Sequence, residues 1–206
     1  MEDKKLTPQE SMQLISDMIQ NSKHRVAISD IRISLMWAIL TILTAATVLT
    51  LLLTIGSSWA NVIWFAIPVI GIPLNIVMAK KDTPHKRATT FIDNVGNGIW
   101  KIVGFIALAL SAGCLAVSIL GYTQIWQTMF FYAFIIVGFG VVTQGVIVKE
   151  KSYIFGGVFS ILTGFTIIGA YLCHIPLPVT WTIPLYICCF LLMFIVPGLI
   201  IARKLK

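Results

Sequence analysis

The chain has 206 residues, of which 58% are hydrophobic and 11% charged, with a mean hydropathy of +0.93 and a net charge of +7. That composition excludes an ordinary soluble domain, and with no recognition motif for DNA or RNA the basic excess reads as membrane orientation and contact with anionic headgroups. Long apolar runs without two-residue alternation select helices over a barrel, because inside a bilayer every backbone polar group needs an internal partner.

Residues 1–30 form the first unit. Glu2, Asp3, Lys4 and Lys5 are not the apolar core of a signal peptide, so no cleavage is expected. Thr7-Pro8-Gln9-Glu10 starts a helix by a defined mechanism: a Thr cap, Pro at the first helical position, and Glu three residues on to answer the cap's own amide. Met12, Ile15, Ile19 and Val26 recur at helical spacing, with Leu14 and Met18 beside them and Gln13, Asp17, Gln20 and Lys23 elsewhere. An amphipathic helix over about 8–25 is therefore predicted. Its apolar face either lies in the headgroup layer or under the bundle, or docks a partner or a second copy, helix in groove.

Residues 31–206 form the second unit. Ile33 to Ala79 is a run of 47 residues without Asp, Glu, Lys or Arg, fenced by Arg32 and by Lys80–Lys81. One span needs about 20 apolar residues, so this run is a two-span hairpin. Ile102 to Val148, also 47 residues, and Ser152 to Ala202, 51 residues, repeat the arrangement. The predicted fold is an all-α integral membrane protein with six transmembrane helices in three hairpins, at about 33–55, 59–79, 98–120, 124–148, 153–173 and 180–201. All 15 Lys and Arg lie in alternate segments, and the links near Gly56, Gly121 and His174 carry none. By the positive-inside rule both termini are cytoplasmic.

Helix one carries Thr41, Thr44, Thr47, Thr50 and Thr54, a stripe read either as a polar path or as packing, with hydroxyls bonded back to the preceding turn or across to a neighbouring helix. Helix two contains Pro68, Gly71 and Pro73, expected to break or kink it, with Asn75 beyond the break. Such breaks free backbone groups for solutes in transporters, although Pro and Gly are also ordinary in membrane helices. The following loop places Lys80, Lys81, Lys86 and Arg87 at lipid headgroups, and Thr90 to Asp93 as the cap of a short helix. In helix three, Gly104, Ala107, Ser111, Cys114 and Ser118 make one small-residue seam for close helix packing. Helix four has Gly138, Gly140 and Gly145 with Gln144, a polar group expected to bond across helices. Helix five repeats the packing code at Gly156, Ser160 and Gly164. Trp59, Trp126 and Trp181 open the even helices as interfacial belt residues. Asn75, Gln144 and Gly198, each five residues before a closing basic residue, suggest an internal repeat.

Across its whole length the chain resembles a group of small six-helix bacterial inner-membrane proteins of unassigned function. The resemblance rests on Glu10-Ser11 with Leu14, Ile15, Met18 and Ile19, on Gly145 to Lys151 leading to Gly156-Gly157, and on Pro197-Gly198 with Arg203 and Lys204. It implies topology, and neither a catalytic residue nor a cofactor.

Apart from Lys101 at the edge of the third, no Asp, Glu, Lys or Arg lies inside a predicted span, which argues against an ion-coupled pump. Cys173 and His174 are half a metal site, and no nucleophile pairs with a base, so neither a metal nor an enzyme is expected. Two functions remain. The first is a non-enzymatic membrane protein acting by contact through Met12, Ile15, Ile19 and Val26 and the basic loop. The second is a small transporter or channel subunit for a neutral or lipophilic solute, lined by Pro68, Gly71, Pro73, Asn75 and Gln144.

Overall fold

The computed structural model describes the backbone of residues 8–81 and 91–204, and the side chains at 12–13, 31–80 and 94–204. Among the described residues the chain is helical, without a strand, and six helices are long and apolar enough to cross a membrane. They are span 1 (Ile31–Thr54), span 2 (Ser58–Lys80), span 3 (Asn94–Ile119), span 4 (Thr123–Val148), span 5 (Lys151–Leu172) and span 6 (Val179–Lys204). The expected boundaries differ from these by only a few residues. The surface they present carries Phe105, Leu120, Phe155 and Leu162, each more than half exposed, which is a surface for lipid rather than water.

The first helix departs from expectation. It runs unbroken over Pro8–Thr54, so the predicted N-terminal helix and span 1 are one rod of 47 residues. Between Arg25 and Ile33 stands Val-Ala-Ile-Ser-Asp-Ile-Arg, which has neither Gly nor Pro to interrupt the backbone ladder. The expected break in span 2 is also absent. Its backbone is a 3-10 helix over Ser58–Phe65 and an α-helix over Ala66–Lys81, which continues through Pro73. Pro68 falls just past the passage from 3-10 to α-helix, and the helix runs on through it. Gly71 is needed for packing: a Cβ there would collide with the ring of Trp37 on span 1.

Span 1 packs against spans 2 and 6, span 6 against span 5, span 5 against span 4, and span 4 against span 3. Span 3 meets span 2 at the latter's 3-10 segment. Spans 4 and 6 form the middle, with 44% of each apolar stretch buried against 6% for span 2 and 11% for span 3. Along this middle runs a column of rings. Trp64 of span 2 meets Tyr186 edge-on at 5.6 Å, and Phe130 and Phe134 of span 4 meet the same ring at 6.0 Å each. Tyr186 continues to Phe190 at 4.6 Å, Phe194 at a further 5.6 Å, and Trp100 of span 3 at 6.0 Å beyond that. Trp126 joins this interior, buried and edge-on to Phe65 at 6.5 Å, so it is not a belt residue; Trp59 and Trp181 are exposed as the belt requires.

The most extensive interface joins spans 4 and 5, and glycine makes it. A Cβ on Gly138 would lie 3.1 Å from the carbonyl oxygen of Gly157, and one on Gly157 2.8 Å from that of Gly138. A Cβ on Gly145 would lie 2.8 Å from the Ile154 amide nitrogen, and one on Gly164 2.9 Å from the Phe134 Cβ. Gly156 faces the other way, onto the Leu192 carbonyl of span 6. The predicted seam on span 5 thus divides between two neighbours. On span 3, Ser111 and Cys114 are buried toward span 4, Ala107 and Ser118 are half-buried, and Gly104 leaves the seam for open surface.

Spans 4 and 6 each contain a π turn, at Tyr132–Ile136 and Leu191–Ile195. In span 6 the cause is local: Pro197 has no amide to donate and its ring crowds the carbonyl four residues back, and the wider turn relieves both. In span 4 the Ser160 hydroxyl of span 5 donates to the Phe134 carbonyl at 3.0 Å, giving that oxygen a partner from outside its own helix.

Replacing Gly157 by Ala is expected to destabilise the bundle by about 1–3 kcal/mol, because a methyl there would be caught between the Val142 side chain and the backbone of Gly138 and Val142. Gly113→Ala, where nothing stands within 4 Å, is expected to be neutral or mildly stabilising. Thermal unfolding of the two variants in one detergent checks the contrast.

Candidate functional site

The charged residues that the structure describes gather at one end of the bundle. Arg32, Lys80, Lys101, Lys149, Lys151 and Arg203 are all exposed there, as the ends of spans 1 to 6 require. The opposite end is neutral, and its turns at Gly56 and Gly121 use φ of 67° and 97°, a conformation that other residues adopt at a cost. At the basic end the turn between spans 4 and 5 is made without glycine. Lys149 takes φ 59°, and the Glu150 amide closes back onto the Gly145 carbonyl at 2.9 Å.

This turn is also where span 6 is tied down. Lys204 Nζ donates to both carboxylate oxygens of Glu150, at 2.7 and 2.9 Å, joining the last turn of span 6 to the link between spans 4 and 5. With Lys204 more than half exposed, this pair orders the end face but contributes little stability.

The first helix supplies the other feature of this end. Its 47 residues exceed the 24-residue apolar span by 23, a rod of roughly 35 Å projecting past Ile31 at 1.5 Å per residue. Of the residues predicted to dock a partner, Met12 is exposed on this rod, whereas the side chains of Ile15, Ile19 and Val26 lie outside the described residues. Of those predicted to meet lipid headgroups, Lys80 is exposed. The Lys81 side chain, Lys86, Arg87 and the predicted cap at Thr90 to Asp93 lie outside the described side chains.

The residues predicted to line a solute path are not gathered. Pro68 is half-buried near the start of the α segment of span 2, Gly71 lies under Trp37, Pro73 is exposed, and Asn75, two residues further on, is half-buried. Gln144 sits on span 4, where its Oε1 accepts the indole N–H of Trp100 at 3.1 Å. That is the cross-helix bond expected of it, with span 3 as the partner. The threonines of span 1 resolve to the packing reading. Thr44, Thr47, Thr50 and Thr54 each donate to the carbonyl four residues back, at 2.8–2.9 Å. Two clefts at the neutral end, of about 10 Å³ near Trp59 and Ser118 and about 30 Å³ near Gln127 and Tyr171, hold little more than a water each.

Sequence reasoning missed Trp100, Tyr132 and Tyr186. Tyr132 and Tyr186 stand well inside their spans, away from the belts where tyrosine is common, and a phenol at that depth needs a partner. Tyr132 finds one, donating to the Val103 carbonyl of span 3 at 2.7 Å. The position of these tyrosines in the sequence was the available signal. Compared with protein-family models, curated proteins and solved structures, the chain matches none.

A double-mutant cycle on Trp100→Phe and Gln144→Leu is expected to give a coupling of about 0.6 kcal/mol, the usual worth of a hydrogen bond between membrane helices. The cycle pairing Asn75→Leu with Trp100→Phe is expected to give none, which unfolding titrations of the variants measure.

Proposed function

We propose that this chain is a non-enzymatic multi-pass protein of a bacterial inner membrane, its six spans grouped as three hairpins, that acts by binding a protein partner at its cytoplasmic end. The observation that carries the reading is the unbroken helix Pro8–Thr54, which joins a rod outside the apolar segment rigidly to a bundle whose described charges lie at the same end. A helix anchored in this way is oriented before it meets its partner, so less conformational freedom is lost on binding. The basic residues at its foot, Lys80 and Lys101 among them, hold that end against anionic headgroups. Orientation follows from the positive-inside rule, with both termini in the cytoplasm.

Transport of a neutral solute has less support, because Asn75 and Gln144 stand on spans 2 and 4 and Gln144 is occupied by Trp100. Mild crosslinking in native membranes, followed by purification in detergent, is expected to retain a stoichiometric protein partner. Removal of residues 1–29 is expected to abolish its capture while the six spans still insert. A full-length protein that purifies alone or only with itself, carrying a small molecule or lipid, would shift the weight to transport.

Orientation has its own reporter. Cys173 is exposed at the neutral end. A membrane-impermeant thiol reagent applied to spheroplasts is expected to label Cys173 and to leave a cysteine placed at Lys204 unlabelled until the membrane is opened. The reverse pattern would put the basic end outside.

A further inference from the structure

The two π turns lie on either side of span 5, and the same face-to-face pair of contacts keys that helix to both. Ser160, fully buried, donates its hydroxyl to the Phe134 carbonyl inside the π turn of span 4. One turn earlier, Gly156 rests on the Leu192 carbonyl inside the π turn of span 6. Each π turn also delivers a ring to the central column: Phe134 packs on Tyr186, and Phe194 packs on Phe190 and Trp100. Each is closed by an amide reaching five residues back, Val137 to Tyr132 and Val196 to Leu191.

We propose that the π turns of spans 4 and 6 are paired hinges for one concerted opening of the bundle centre, with span 5 as the rigid element that couples them. A π turn holds one residue more than an α turn, so it moves along a helix in single-residue steps while both helix ends stay in place. Each step rotates the residue it passes by about 100°. Displacement in span 4 swings Phe134 out of the column, and displacement in span 6 swings Phe194. Either movement also carries away the carbonyl on which span 5 is seated. Because closely packed glycine contacts leave no intermediate position, a shift at one turn transmits through span 5 to the other. The polar groups uncovered at the junction are Ser160, Thr163 and Cys189, with Cys189 beside the two hydroxyls. This inference is independent of the partner-binding reading.

Cys189 is buried completely and reports the opening directly. In a Cys114→Ala, Cys173→Ala, Cys188→Ala background, its labelling by a charged methanethiosulfonate reagent measures how often water reaches the centre. Ser160→Ala removes the hydroxyl that seats span 5 on the span 4 hinge, and Phe194→Leu removes the ring contacts to Phe190 and Trp100 that hold the span 6 hinge closed. Each is expected to raise the labelling rate about threefold, the factor that one membrane hydrogen bond or one aromatic pair supplies. If both belong to one opening, their effects multiply and the double variant labels about ninefold faster than the background. If the turns open separately, the two routes only sum, to about fivefold. An additive double variant, unchanged single variants, or labelling that merely follows global unfolding in a parallel melt would each overturn the proposal. Ser160→Gly replaces Ser160→Ala if the latter does not fold.

Discussion

The close approach of spans 4 and 5 at Gly138 and Gly157 is the contact on which the rest of the bundle depends. Between helices in lipid there is no hydrophobic difference to exploit, since acyl chains are as apolar as leucine, so association rests on van der Waals contact and a few hydrogen bonds. Such contact is short-ranged, and a gap of an ångström forfeits much of it. Glycine lets two backbones meet where any Cβ would hold them apart: at both positions the space a methyl would need is taken by the partner's carbonyl oxygen. With span 5 seated this closely on span 4, Ser160 reaches the Phe134 carbonyl and Gly156 is turned toward span 6.

The interior that results is aromatic, and its polar edges are closed from within. Tyr132 gives its hydroxyl to the Val103 carbonyl, and Trp100 gives its indole N–H to Gln144. Both bonds run between spans 3 and 4, so span 3, otherwise little buried, is held by groups that lipid could not satisfy. Span 2 is held differently, by the Trp37 ring on Gly71 and by Trp64 against Tyr186. The central spans are thus secured by backbone contact and the peripheral ones by single large side chains. That division places the two π turns where helices touch most closely.

Much of this was legible in the sequence, and the reasons differ from residue to residue. Gln144 could be expected to bond across helices because an unpaired amide in hydrocarbon is costly; its partner could not be named, since Trp100 is 44 residues away. The threonines of span 1 could be expected to bond to their own helix because the acceptor is always four residues back. Gly104 was misplaced: it shares the spacing of Ser111 and Cys114, yet at its level Trp100 and Val103 are the residues that meet span 4, and Gly104 is left open. Trp126 was misplaced for the opposite reason, because its position near a span end suits a belt and only the neighbouring Phe65 draws it inward.

The number of spans, their limits and the gathering of charge at one end were determined by the sequence alone, because the cost of placing a residue in hydrocarbon is a property of that residue and its near neighbours. Which side of each span faces inward, and where the helices widen into π turns, only the tertiary structure decided. In a membrane helix both the buried and the lipid-facing sides are apolar, so hydropathy carries no period that marks the inner one. The choice falls to shape, and shape depends on residues brought together from distant parts of the chain, as Gly156 is with Leu192 and Ser160 with Phe134.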